Sequence, residues 1–265
     1  MGGVTRAASS PGPSTPPPLP ASLGRGDPRE RTGAPSKPSA SPTSSVLGLA
    51  PVIPVVVLHD AADAVPLARA LVAGGLPAIE VTLRTPAALD AIRAVTDEVP
   101  EAVIGAGTVL TPGQVEAALT AGSRFLVSPG WSPRLLGAMK DSGVPFLPGV
   151  STASEVVTLL EEGITEMKFF PAEAAGGTAY LKSLAAPLPQ ARFCPTGGIG
   201  LASAPDYLAL PNVGCVGGTW MLPDEALATK DWDRVRRLAQ EAAALAACGP
   251  VARTGTSGPV ARTGT

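Results

Sequence analysis

Three short stretches carry residues that could do chemistry. In Glu166-Met167-Lys168-Phe169-Phe170-Pro171 a lysine sits mid-strand among aromatic side chains. Burial disfavours the charged form of an amine, and a neutral amine is a nucleophile toward carbonyl carbon. The second stretch is Ile79-Glu80-Val81-Thr82-Leu83-Arg84. Side chains alternate across a strand, so Ile79, Val81 and Leu83 share one face, and Glu80, Thr82 and Arg84 the other. The same alternation groups Lys168 with Phe170, and Met167 with Phe169. If the apolar faces meet helices, an acid, an arginine and a lysine converge on one interior. An acid moves protons, and an arginine grips a carboxylate with two parallel hydrogen bonds. A snorkelling lysine or a structural ion pair would explain Lys168 and Glu80 alone, but not Arg84 beside them.

The third stretch is double: Pro195-Thr196-Gly197-Gly198 and Gly217-Gly218-Thr219. Glycines expose backbone N–H groups and let an anion approach closely. One such pair is a turn signal. Two pairs ending neighbouring strands suggest an anion site.

The elements that must position these groups follow a regular beat. Apolar, β-branched runs at 51–58, 78–84, 102–110, 125–130, 145–151, 166–172, 192–199 and 213–220 start every 20 to 27 residues, with Ala/Leu-rich stretches between them. Strand–helix alternation at this spacing argues for parallel βαβ units. Thr85-Pro86, Thr111-Pro112 and Ser132-Pro133 each place a capping hydroxyl before a first-turn proline. Thr152 with Glu155 has capping-box spacing, and Gly74, Gly122, Gly143 and Gly163 sit where helices should stop. The expected fold is α/β, an eight-stranded (β/α)₈ TIM barrel. Its active site lies at the C-terminal strand ends, and its phosphate site in the loops after the last two strands. An open doubly wound sheet is the alternative, but the Gly-x-Gly-x-x-Gly fingerprint is missing where it would be needed.

Composition narrows the function. The chain has 265 residues, 16% of them charged, with a formal net charge of −2, so no footprint for nucleic acid or an anionic membrane is visible. No apolar run approaches the roughly 18 residues of a membrane span. Cys194, Cys215 and Cys248 lie far apart, which suggests a reducing cytoplasm and no disulfide framework. One histidine, His59, makes a metal centre unexpected. His59 could reach the mouth of the barrel, Trp131 reads as packing, and Cys194 as a core filler. Residues 1–45 are a Pro/Ser-rich extension expected to be disordered. Residues 46–248 form the barrel domain. In 249–265 the sequence Gly-Pro-Val-Ala-Arg-Thr-Gly-Thr occurs twice and reads as a floppy tail.

Taken together, Glu80-Val-Thr-Leu-Arg84-Thr85, Gly105-Ala-Gly-Thr108, Ser128-Pro-Gly130, Lys168-Phe-Phe-Pro-Ala-Glu173 and Arg192-Phe-Cys-Pro-Thr196-Gly-Gly198 carry a family resemblance. From 51 to about 247 the chain resembles the class I 2-keto-3-deoxy-6-phosphogluconate (KDPG) aldolases, which also act as 4-hydroxy-2-oxoglutarate (KHG) aldolases. The resemblance implies Lys168 as the Schiff-base lysine and Glu80 as the general acid/base. It implies Arg84 and Thr108 as contacts to the substrate carboxylate. Pro129, Phe170 and Thr196 would line the pyruvyl pocket, and Gly197, Gly198, Gly218 and Thr219 would hold the phosphate. It further implies a cytoplasmic homotrimer acting on a small 2-keto acid, with no metal or organic cofactor. Thr219 replaces an expected Ser, Gly200 an expected small polar residue, and 42–49 carries little of the helix that covers one barrel end. The C4-epimeric galactonate substrate, a decarboxylase side activity and a non-catalytic phosphate-binding barrel are the alternative readings.

Overall fold

The computed structural model describes residues 1–3 and 45–248. The expectations for residues 4–44 and for the duplicated tail lie outside the described residues. The strands are β1 (Val52–Val56), β2 (Ala78–Thr82), β3 (Val103–Gly107), β4 (Leu126–Val127), β5 (Phe146–Leu147), β6 (Gly149–Val150), β7 (Glu166–Phe169), β8 (Arg192–Pro195) and β9 (Val216–Gly218). All ladders are parallel. They run in the orders β5-β4-β3-β2-β1-β9 and β6-β7-β8. Two further parallel bridges, Phe193 to Val213 and Thr196 to Gly217, join the second ladder to the first. The result is a curled parallel sheet with helices outside it.

Each of the eight expected runs contains a strand, but the fifth contains two. Pro148 has no N–H and cannot continue the ladder, so it parts β5 from β6. Its carbonyl still accepts from the Lys168 N–H at 3.0 Å.

Two apolar layers flank the sheet. The outer layer packs Ile79, Val81, Met167 and Phe169 against helices such as α1 (Ala64–Ala73), α2 (Ala88–Glu98) and α9 (Trp232–Ala243). On α9 the buried residues Val235, Ala239 and Ala242 recur at helical spacing. A Cβ on Gly74 would come within 2.4 Å of the Ala239 Cβ, so a glycine there lets α1 end against α9. Full burial of each such Leu, Ile or Val contributes about 1.5–3 kcal/mol. The inner layer holds Ile53, Ala78, Phe125, Val127, Leu147, Cys194 and Cys215. Val46 and Leu47, from a single 3₁₀ turn (Val46–Gly48), complete it. That turn packs on the inner layer from within 42–49, a stretch that carries little helical signal.

The caps follow chemistry at most positions. Thr111 and Ser132 accept from the Gln114 and Leu135 N–H groups at the starts of α3 (Pro112–Thr120) and α4 (Pro133–Asp141). Thr152 and Glu155 form a complete capping box on α5 (Ala153–Glu161). Thr85 does not cap. The helix after it, α2, begins only at Ala88, and the Thr85 hydroxyl donates to the Leu58 carbonyl instead, tying the end of β2 to the loop after β1. Gly74 ends α1, and the left-handed residue that follows it is Gly75.

Candidate active site

Because Met167 and Phe169 face the helices, Lys168 faces the enclosed interior, where it is 4% exposed. Its Nζ donates to Glu80 Oε1 at 3.1 Å, and Glu80 is 3% exposed. Removing two charges from water costs several kcal/mol per ion, which mutual attraction recovers only in good geometry. Apolar residues of similar size would serve stability as well. The Phe170 ring lies with its centroid 5.4 Å from Nζ, within reach of a cation–π contact.

The seat of Glu80 is a glycine. In the β2–β3 register Glu80 faces Gly105 and Thr82 faces Gly107. A Cβ on Gly107 would fall 2.1 Å from Glu80 Oε1 and 2.6 Å from its Cδ. Gly105 instead makes room for the Phe125 ring. Gly107 stands in the Gly105-Ala-Gly-Thr108 motif, where the sequence assigns it no task. The available signal was two glycines two apart on one strand, which clear one face of it.

Arg84 lies in the turn beyond β2, which ends at Thr82 and not at 84. Its Nε donates to Thr108 Oγ1 at 3.0 Å. Thr108 follows β3 with φ of 56°, a left-handed conformation that costs a non-glycine residue about 1 kcal/mol or more. The guanidinium is thus steered through Nε, and its two outer nitrogens have no partner among the described residues.

The remaining candidates border this pair. Gly149 is the ladder partner of Lys168, and a Cβ there would meet the Pro129 carbonyl carbon at 2.2 Å. The Pro129 turn therefore rests on the strand beside the lysine. Thr196 is buried at the end of β8, and Gly217 is bare beside it, where a Cβ would sit 2.3 Å from Thr196 Oγ1. Gly197 and Gly198 both have positive φ, 105° and 83°. The Ala172 and Glu173 N–H groups donate to the Thr196 and Gly197 carbonyls. The N–H groups of Gly197 and Gly198 find no acceptor among the described residues.

Gly218 and Thr219 sit differently. A Cβ on Gly218 would strike the Trp220 ring at 1.9 Å, so this glycine seats a tryptophan. Thr219 and His59 are exposed and line a cavity of about 420 Å³ with Leu222, Asp224 and Trp232. Trp131 lines a separate groove with Leu136 and Lys140. Cys194 is buried in the inner layer, with its Sγ 3.9 Å from Thr196 Oγ1.

An enclosed amine paired with a carboxylate, an exposed arginine in the turn after β2 and a glycine turn with bare N–H groups are the parts that covalent, lysine-dependent chemistry on an anionic carbonyl compound needs. The family model "Aldolase: KDPG and KHG aldolase" matches residues 43–238. The KHG/KDPG aldolase of Escherichia coli (strain K12) is 52% identical over 198 residues, covering 75% of this chain and 93% of that protein. Among solved structures, the KDPG aldolase from Legionella pneumophila, with pyruvate captured at low pH as a covalent carbinolamine intermediate, has a TM-score of 0.73. It is 46% identical, over 75% of this chain and 96% of that one. The aldolase of Zymomonas mobilis ZM4 with 3-phosphoglycerate has a TM-score of 0.71 at 50% identity, over 76% and 94%. The chain belongs to the KDPG and KHG aldolase family.

Proposed function

We propose that this chain is a class I aldolase that cleaves KDPG to pyruvate and glyceraldehyde 3-phosphate, and KHG to pyruvate and glyoxylate. The observation that carries it is the enclosed Lys168–Glu80 pair, 3.1 Å apart. In this reading Arg84, steered by Thr108, holds the substrate carboxylate and so sets C2 over the amine. Lys168 Nζ attacks C2, the carbinolamine loses water, and an iminium forms. Glu80, directly or through one water, takes the proton of the C4 hydroxyl. The C3–C4 bond breaks, its electrons pass into the iminium, and the aldehyde leaves. Glu80 returns the proton to C3 of the enamine, and hydrolysis frees pyruvate and Lys168. Pro129, Phe170 and Thr196 border the pyruvyl unit. The bare N–H groups of Gly197 and Gly198 take the phosphate, with Gly218 and Thr219 completing that end.

The two ladders and their bridging pairs support a (β/α)₈ barrel, with β5 and β6 as one interrupted strand. A cytoplasmic homotrimer belongs to the same reading. No helix among the described residues is long and apolar enough to cross a membrane.

A pyruvate-release assay tests the function with KDPG, its C4-epimeric galactonate counterpart and KHG. Release from KDPG and KHG is expected, with KDPG favoured in kcat/KM. A preference for the galactonate epimer would reassign the substrate, and release from none would leave a phosphate-binding barrel without chemistry.

A further inference from the structure

Glu173 takes no part in the chemistry at Lys168, yet it touches the anion turn twice and a buried tyrosine once. Its N–H donates to the Gly197 carbonyl at 3.1 Å. Its side-chain stem walls the next residue, since a Cβ on Gly198 would meet Glu173 Cγ at 2.6 Å and Cβ at 2.8 Å. Its carboxylate accepts from the Tyr207 hydroxyl, Oη to Oε1, at 2.7 Å. Tyr207 lies on α7 (Ala204–Leu208), the short helix that follows the turn, and is 1% exposed. Gly177, at the start of α6 (Gly177–Ala185), leaves this meeting clear: a Cβ there would lie 3.3 Å from the Tyr207 hydroxyl. Burial and the neighbouring carboxylate both push the Tyr207 phenol well above its ordinary range, so it stays a donor.

A carboxylate beside an anion site is a hazard, because like charges at close range repel. Here the acid is needed for its stem, which shapes the turn, while its charge must be kept aside. Tyr207 does the second task by engaging Oε1 from within the α6–α7 layer. We propose that Glu173 and Tyr207 are positioning residues that hold the Gly197–Gly198 turn in its anion-binding shape and turn the Glu173 charge away from it. They therefore govern affinity for the phosphorylated end of the substrate and not the chemistry at Lys168. The proposal rests on the phosphate reading of that turn given above.

The test uses the full chain with KDPG and with KHG, which has no phosphate, together with inorganic phosphate as a competing anion. Tyr207→Phe should raise KM for KDPG by about tenfold, in line with the loss of one hydrogen bond to a charged group. It should weaken phosphate inhibition alike and leave kcat and KM for KHG within about twofold. Glu173→Ala should follow it. Glu173→Gln keeps the stem and an acceptor oxygen, and should stay within about threefold of the wild type on KDPG. Equal losses on both substrates would mean a general structural role, and unchanged KDPG kinetics would mean no role; either overturns the proposal. If Tyr207→Phe does not fold, the Glu173 pair decides it by the same criteria. A wild type that neither favours KDPG nor responds to phosphate would sink the phosphate reading and the proposal together. A phosphate-sensitive wild type matched by all three variants would sink the proposal alone.

Discussion

Lys168 Nζ and Glu80 Oε1 meet at 3.1 Å inside the curled sheet, from residues 88 positions apart in the chain. Neither has appreciable access to solvent. Each is the other's salt-bridge partner, so a change at one is expected to be felt at the other.

Removing one partner should expose that coupling. Lys168→Met leaves Glu80 enclosed without a counter-charge and should cost about 3–5 kcal/mol in urea denaturation. Adding Glu80→Gln should return at least half of that loss. Simple additivity of the two single losses would show that the pair is not energetically linked.

Gly107 is expected to matter for rate although it carries no functional group. A methyl group there would fall 2.1 Å from Glu80 Oε1, so the carboxylate must shift by about 1 Å to restore van der Waals contact. A displacement of that size costs on the order of a hundredfold in turnover. Gly107→Ala should therefore lower kcat by roughly that factor while circular dichroism remains that of the wild type. An unchanged kcat would show that Glu80 works from another position.

The capping box predicts a pH dependence of stability. Burial raises the Glu155 carboxyl, but hydrogen bonds from the Ser151 and Thr152 backbone and hydroxyl groups outweigh this and hold it below its ordinary 4.5. A carboxyl lowered on folding stabilises above its unfolded pKa, and loses that contribution as the pH falls through the folded value. Glu155→Gln keeps the shape and removes the charge. At pH 7 it should be less stable by roughly 0.3–1 kcal/mol, and the gap should close as the pH drops below 4.5. Thermal melts from pH 7 down to pH 3 read this directly; a gap of constant size across that range would assign it to shape and not to charge.

Much of this arrangement was legible before any coordinates, because it follows from local rules. The alternation that separates Glu80 from Ile79 and Val81 is a property of one strand, and Thr111, Ser132 and Thr152 cap from within their own segments. What could not be read depends on distant partners. The Thr85 hydroxyl looks like a cap until the Leu58 carbonyl competes for it. Gly74 ends α1 as its position suggests, but the contact of its bare face with α9 is not visible in the sequence. The closeness of Trp220 to Gly218 is not visible in the sequence, and Tyr207 has no visible task until α7 brings it to Glu173. Pro148 could have announced the break between β5 and β6, since its missing N–H is a local fact.

In the proposed reaction Lys168 forms the covalent bond to substrate. Incubation with pyruvate and borohydride, followed by mass spectrometry of the digested chain, tests it most directly. One reduced pyruvyl adduct is expected, on the peptide carrying Lys168, with aldolase activity lost in step with its formation. Loss of activity with the adduct on another lysine, or undiminished activity with Lys168 fully modified, would contradict it.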